Sequence, residues 1–416
     1  MDGAALPELR TAIPGPLSQG WVDRLAAVEC PAITARRARR AAALGLASDD
    51  PIVWSEAVGA NVTDADGNVF VDLTAGFGVA AVGHRNAAVV AAARTQLDRL
   101  VHAMGDAYPD PTRVLLMEAL CARSGMDRAI LGSSGSDAVE AALKTARMAS
   151  GRDGVLVFSG AYHGLSYGAL AVGQYKAADF RGPFEGQLGR HVRVLPYGAL
   201  PEPADLAGVG AVLVEPVQGR GGIRVPPAGW LRALRERSHA AGALLVLDEI
   251  YTGFGRTGDW FAFLAEDARP DLLAVGKGLS GGFPISACLG TAAAMDAWGA
   301  SQGEALHTQT FLGHPVGCAM ALASLGEVER LLPEVAPLSA WLGGELTRRG
   351  LPWRGRGLLL GIKVPNSLAV SRALLQRGYI ALPAGEEDPV LALTPPLCIT
   401  REQLLGFLHA LDEILA

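Results

Sequence analysis

Five short apolar runs constrain this chain more than any other feature. They are AILG (129–132), VLVFS (155–159), AVLVEPV (211–217), ALLVLDEI (243–250) and LLAVG (272–276), each bounded by glycine, proline or a helical stretch. Runs this uniformly apolar read as strands buried on both faces, the habit of a parallel sheet covered by helices. The intervening SDAVEAALKTARMAS (136–150) and AGWLRALRERSHAAG (228–242) read as helices. Strands alternating with helices from about residue 60 predict an α/β sheet.

Outside this region the pattern changes. Residues 1 to about 50 are expected to be helical or loop-like, punctuated by IPGP at 13–16. After about 312 come a long helix (HPVGCAMALASLGEVERLL), a strand (GRGLLLGIKV) and a final helix. With 416 residues, two or three domains are expected. The divisions are an N-terminal segment (1–55) packing with the small domain, a large domain (56–311) and a C-terminal small domain (312–416). No internal repeat or low-complexity tract interrupts them.

Composition narrows the classes of function. The formal net charge is −6, which favours neither a nucleic-acid backbone nor an anionic membrane. The basic cluster Arg36, Arg37, Arg39 and Arg40 lies in ITARRARRAAALGLA and reads as the solvated face of a helix. Five cysteines, widely spaced and without a CxxC, read as reduced thiols with no metal-binding pattern. MDGAALPELR has neither the charged start nor the apolar run of a signal peptide, and no apolar run reaches the roughly 18 residues of a membrane span. Cytoplasm is therefore the expected compartment.

In open α/β sheets, ligands bind beyond the carboxyl ends of the strands. Here those ends carry SSGSDA after the first run, GAYHG after the second, Glu215 and PVQGRGG in the third, Asp248 and Glu249 in the fourth, and Lys277 after the fifth. Each has a plain alternative: a helix cap, a core tyrosine, a surface lysine. VQGRGG and GRGLLLG lack the spacing of a dinucleotide fingerprint and read as loops. The set taken together suits one cofactor, pyridoxal 5′-phosphate. Gly135 and Ser136 can offer helix N-terminal N–H groups to a phosphate. Tyr162 can cover one face of a pyridine ring. Asp248 can keep the ring nitrogen protonated by charge pairing. Lys277 is an amine able to form an imine and shuttle protons.

From about residue 50 to 416 the chain resembles the class III (ω-type) aminotransferases, of fold type I among pyridoxal-phosphate enzymes. The strongest motif is LLVLDEIYTGFGRTGDWFAF…RPDLLAVGKGLSGGFPISA, in which Lys277 follows Asp248 by 29 residues. GSSGSDAVEAALKTAR, YHG (162–164), EPVQG (215–219), HTQTFLGHPVGCAMALA (307–323) and TPPLCIT support it. The resemblance implies a large domain with a mostly parallel seven-stranded sheet and a smaller α+β domain built from the N- and C-terminal segments. It implies catalytic roles for Lys277, as the Schiff-base lysine, and Asp248, as partner of the ring nitrogen. Gly135 and Ser136 resemble the phosphate cradle, Tyr162 the stacking aromatic with His163 beside it, Glu215 a carboxylate behind the site, and Ile250 the apolar contact on the other ring face. Thr310 resembles a threonine that reaches the neighbouring subunit's phosphate, implying a homodimer with shared sites. Phe77, in DLTAGFG, matches an aromatic-rich position at the substrate entrance.

Three positions depart from the family. Many members have Glu where this chain has Arg220, and Arg where it has Ala392; several have Gln where it has Tyr251. In such relatives the Glu and Arg form a gate and the Arg grips a substrate carboxylate. Arg220 is expected either to take over that grip or to point to solvent. The expected function is transfer of an amino group between an amine or amino acid and a keto acid or aldehyde. The alternatives are a racemase or epimerase of the same fold and a non-catalytic relative, the latter disfavoured because Lys277 and Asp248 are both present.

Overall fold

A strand covered on both faces must send alternate side chains into two different cores. The central strands do this. Leu245 and Leu247 pack with Trp230, Leu234 and Leu325 on one side, whereas Val246 packs with Ala138, Ala142 and Leu213 on the other. The same alternation divides Val212 and Val214 from Ala211 and Leu213, and Leu273 and Val275 from Leu272 and Ala274. Each such side chain contributes roughly 1.5–3 kcal/mol by leaving water.

The computed structural model describes residues 3–46, 50–300 and 305–416. Its large sheet has seven strands, in the order Arg128–Gly132, Ser286–Gly290, Leu272–Val275, Leu244–Asp248, Val209–Val214, Gly154–Phe158 and Val192–Leu195. Ser286–Gly290 runs antiparallel to both neighbours; the other pairings are parallel. All five apolar runs are strands of this sheet. The 136–150 stretch forms the helix Gly135–Ser150, whose buried face is mostly alanine and lies close against the sheet. Trp230–Ala240 and the long helix Pro315–Arg348 cover the opposite face.

Register decides which residues meet at the carboxyl edge. Val214 pairs with Leu247, so Glu215 and Asp248 emerge side by side. Asp248 pairs with Ala274, which brings Gly276 and Lys277 out beside them.

Two smaller four-stranded sheets complete the molecule. In one, Trp54–Val58, Asn61–Asp64 and Val69–Asp72 are joined by Tyr379–Ile380, which pairs in parallel with Val69–Asp72. The division expected between 55 and 56 therefore falls inside a strand, and pairing ties residues 54–72 to the C-terminal segment. In the other, Trp353–Arg356, Leu359–Ile362, Val390–Leu393 and Leu382–Ala384 are all antiparallel. The run GRGLLLGIKV, expected as one strand, thus belongs to a hairpin that turns at Gly357, where φ is +57°. The helix expected to stop at Leu332 continues through Pro333 and Pro337 to Arg348. Its buried stripe of Val335, Leu338, Leu342 and Leu346 offsets the lost backbone hydrogen bonds. The first 50 residues contain the helices Pro16–Ala26 and Pro31–Leu44, the second carrying the four clustered arginines. Among the described residues no helix is long and apolar enough to cross a membrane.

Glu249, next to Asp248, is fully buried and ties the strand end to the following turn. Its carboxylate accepts hydrogen bonds from Thr252 Oγ1 (2.7 Å), Ala262 N (2.7 Å) and Phe263 N (3.0 Å). Burial outweighs these bonds and pushes its carboxyl up from 4.5 to about 7. A carboxyl that holds its proton more tightly folded than unfolded contributes stability that is full below pH 4.5 and lost as the pH rises to about 7. Glu249→Gln removes this proton linkage. The decline of the unfolding midpoint across that pH window, followed by circular dichroism, is expected to be shallower in the variant; an unchanged slope contradicts the assignment.

Candidate active site

The carboxyl edge of the large sheet opens into a cavity of about 310 Å³. Every site residue expected from the sequence lines it except Thr310. Each arrives by a short local device. Ser134 caps the Gly135–Ser150 helix, its Oγ accepting from Asp137 N at 3.2 Å, so the first turn points its N–H groups at the cavity. The N–H groups of Gly135 and Ser136 have no intrahelical acceptor, as at any helix start. Gly135 is closely packed, since a Cβ there would lie 3.0 Å from Ile250 Cδ1 and the isoleucine would have to shift. Ser286 Oγ donates to Ser134 O at 2.6 Å, so the antiparallel strand pins the cap from below.

Asp248 is 4 % exposed and His163 2 %. Asp248 Oδ2 lies 2.7 Å from His163 Nδ1, and Oδ1 accepts from Ile250 N at 3.1 Å. Burial works against a charged His163, but the hydrogen bond and the charge of Asp248, with the charge of Glu215, outweigh it and raise the imidazole's affinity for a proton. Glu215 spends both oxygens on backbone donors, Tyr162 N and Gly219 N, each at 3.0 Å. Burial first, and the neighbouring Asp248, push its carboxyl up to about 7 despite these bonds and His163.

Lys277 has a left-handed backbone, φ +37°, at the turn after its strand. Such a conformation costs of order 1–3 kcal/mol and persists only where the surroundings enforce it. Its Nζ makes no hydrogen bond or ion pair among the described residues and lies 4.5 Å from the centroid of the Tyr251 ring. Burial lowers its pKa, helped by Arg220 and opposed by Asp248 and Glu215. A lysine held closer to neutrality is a better nucleophile.

Phe77 is carried on a turn in which Ala75, Gly76, Phe77 and Gly78 all have positive φ, from +48° to +81°. Asp72 secures the turn by accepting from Thr74 N (2.8 Å), Thr74 Oγ1 (2.6 Å) and Gly76 N (3.0 Å). Phe77 is left 55 % exposed at the mouth. Arg220 does not point away to solvent: it lines the cavity, its guanidinium carbon 5.1 Å from the Tyr162 ring centroid and 5.8 Å from that of Phe77. Ala392 lines the same cavity. Thr310 is exposed, on a loop anchored through Gln309 Oε1, which accepts from Ser133 Oγ at 2.9 Å.

The sequence reading missed several wall residues. Ile223 lines the cavity from the Arg220 loop, and Thr74, Leu382, Ala384 and Thr394 line it from the smaller sheets and their loops; Thr74 and Thr394 stand inside DLTAGFG and TPPLCIT, whose residue types gave no sign of that role. Tyr251, noted only as a departure, is central. Its ring lies in a slot between two glycines: a Cβ at Gly78 would come 2.6 Å from Tyr251 Cε2, and one at Gly219 would come 2.1 Å from Cδ1. Its hydroxyl is 3.3 Å from Thr394 Oγ1, which donates to Thr74 O at 3.0 Å.

These features fit pyridoxal phosphate. Among the described residues His163 Nε2 is buried without a hydrogen-bond partner, Lys277 Nζ has none either, and Gly135 and Ser136 present helix-end donors without an intrahelical acceptor beside the apolar side chain of Ile250.

Comparison with known proteins agrees with the geometry. The model of the family "Aminotransferase class-III" matches residues 46–415. The chain is 40% identical over 377 residues to the acetylornithine aminotransferase of Mycolicibacterium smegmatis, covering 88% of this chain and 94% of that one. Among solved structures, an amine transaminase from an uncultivated Pseudomonas species, in its PLP-bound form, aligns with a TM-score of 0.80 and 31% identity, over 88% of this chain and 95% of the other. The ornithine aminotransferase of Toxoplasma gondii ME49 aligns with a TM-score of 0.82 and 28% identity, over 98% and 95% respectively.

The glycine slot makes a direct prediction. Gly219→Ala forces a methyl group into the Tyr251 ring, an overpacking cost of about 1–3 kcal/mol. Adding Tyr251→Ala is expected to relieve that clash, so the two substitutions are less destabilising together than their separate effects sum to. Urea unfolding of the four proteins in the cycle measures the coupling; additive effects contradict the slot.

Proposed function

The chain belongs to the class-III aminotransferase family, and from that premise we propose that Lys277 is the amine that holds the cofactor covalently and Asp248 the group that faces its ring nitrogen. The protein is a pyridoxal-phosphate-dependent aminotransferase, moving an amino group between an amine or amino acid donor and a keto acid or aldehyde acceptor. The observation that carries the residue assignment is the convergence of a free Lys277 Nζ, the His163–Asp248 pair and the capped helix start on one cavity.

When bound, the cofactor supplies an electron sink for the pair left behind when a proton is removed beside the transferred nitrogen. The chain's own groups do the rest. Lys277 Nζ, its pKa lowered chiefly by burial, is released when the donor's nitrogen takes its place, and it then carries that proton from the carbon on one side of the nitrogen to the carbon on the other. Asp248 favours a protonated ring nitrogen by charge pairing, and His163 fixes the carboxylate's orientation from behind. Gly135 and Ser136 hold the phosphate through backbone N–H groups, Tyr162 and Ile250 cover the two ring faces, and Glu215 braces the Tyr162 and Gly219 backbones. Phe77 and Arg220 form the substrate side of the cavity.

The working unit in this reading is a homodimer in the cytoplasm, with Thr310 serving the partner's phosphate. The exposure of Thr310, and of Phe311, Met104 and Tyr108 at 63, 58 and 72 %, supports a covered face there. A relative named acetylornithine aminotransferase supports an amino acid as donor.

Three measurements test these roles. Adding a donor to the purified holoenzyme is expected to bleach its visible absorption, and a keto acid to restore it; no change with any of a broad panel of amines and amino acids refutes the reading. In Lys277→Ala, borohydride followed by denaturation is expected to leave no cofactor on the chain, whereas wild type stays labelled; a label on another lysine refutes the assignment. Asp248→Asn is expected to keep the fold and lower kcat by about a hundredfold or more.

A further inference from the structure

Two cationic side chains line the cavity, Lys277 and Arg220, and neither has an ion pair among the described residues. The lysine's lack of one is accounted for by its reaction. The arginine's is not. The two carboxylates that line the same cavity are committed elsewhere: Glu215 to Tyr162 N and Gly219 N, Asp248 to His163. Ile223, Leu382, Ala384 and Ala392 add apolar wall, and Thr74, Tyr251 and Thr394 add neutral polar groups. Among the described residues no carboxylate pairs with the guanidinium.

Nor does Arg220 sit on a loose loop. Gln218 and Arg224 close its base by exchanging backbone hydrogen bonds at 3.0 and 3.1 Å. Gly219 N is held by Glu215, and the Arg220 carbonyl accepts from Gly385 N at 3.0 Å, tying the loop to the C-terminal part. Its side chain lies within cation–π distance of both Tyr162 and Phe77. Aromatic neighbours do not accept the guanidinium's five N–H groups as a carboxylate would, so its donor edge is available to a planar anion, and a carboxylate is the matching shape.

We propose that Arg220 is the carboxylate anchor of the active site, so that the substrates are amino acids and keto acids rather than simple amines and aldehydes. This rests on the aminotransferase reading and deepens it. Lys277 receives the amino or carbonyl end and Arg220 the anionic end. Ala392, which lines the same cavity, adds no charge, so among the described lining residues Arg220 is the cation left to hold the anion once Lys277 is committed to the reacting end.

The test uses the holoenzyme as wild type, Arg220→Ala and Arg220→Lys. Calorimetric titration with glutarate, a dicarboxylate that carries no group to transfer, reads binding without turnover. Arg220→Ala is expected to weaken it about 10- to 100-fold, with Arg220→Lys intermediate because the charge survives and the bidentate edge does not. In the donor half-reaction, the ratio of kcat/KM for glutamate to that for benzylamine is expected to fall in Arg220→Ala by a similar factor. Unchanged glutarate affinity, or an unchanged ratio, overturns the proposal even if both variants transaminate. Failure of wild type to react with any donor overturns the aminotransferase reading instead, and the glutarate titration still decides whether Arg220 binds carboxylates.

Discussion

A buried carboxylate at the end of a central strand is the constraint on which the rest of the site depends. Asp248 is almost wholly out of water, and a charge there is costly unless it is paired. His163 supplies one partner at 2.7 Å, and the backbone of Ile250 supplies another contact. The strand register then fixes what else shares the neighbourhood, because Glu215 leaves one flanking strand level with Asp248, and Lys277 follows the other flanking strand three residues past Ala274, the partner of Asp248. Negative groups below and cationic groups around the cavity are thus a consequence of three parallel strands ending together. The proposed cofactor role of Asp248 uses a charge that the fold already holds in place.

The site also stores strain. Lys277 has a left-handed backbone, and the Ala75–Gly78 turn holds four consecutive residues at positive φ. Two of those four are not glycine, and each pays a steric penalty for presenting its neighbour to the cavity. Asp72 braces the turn from beneath, and the Tyr251 ring, wedged between Gly78 and Gly219, links it to the Glu215 loop and to Lys277. The two alternating cores on either side of the sheet provide the rigidity that keeps such conformations populated.

The central sheet was legible because its strands are apolar on both faces and end in chemically distinctive residues. Elements lacking that signature were not. Val192–Leu195 is an edge strand with a half-exposed Val194, and SACLG in Ser286–Gly290 is too short and mixed to have a period. The long helix was expected to end at Leu332, whereas buried leucines and valine on one face carry it through Pro333 and Pro337. In the site, the motifs located Lys277, Asp248, His163 and Glu215, each on or next to a strand end. They did not reveal the direction of Arg220 or the slot around Tyr251, which depend on loops folding back from distant segments. The pairing of Tyr379–Ile380 with Val69–Asp72 is equally remote in sequence and has no local mark.

The central claim is that Asp248, held by His163, keeps the cofactor's ring nitrogen protonated. A nitrogen-15 spectrum of the chain loaded with ring-labelled pyridoxal phosphate tests this without turnover. The account predicts the chemical shift of a protonated ring nitrogen, persisting through neutral pH. The shift of an unprotonated pyridine nitrogen in the wild-type holoenzyme would contradict it.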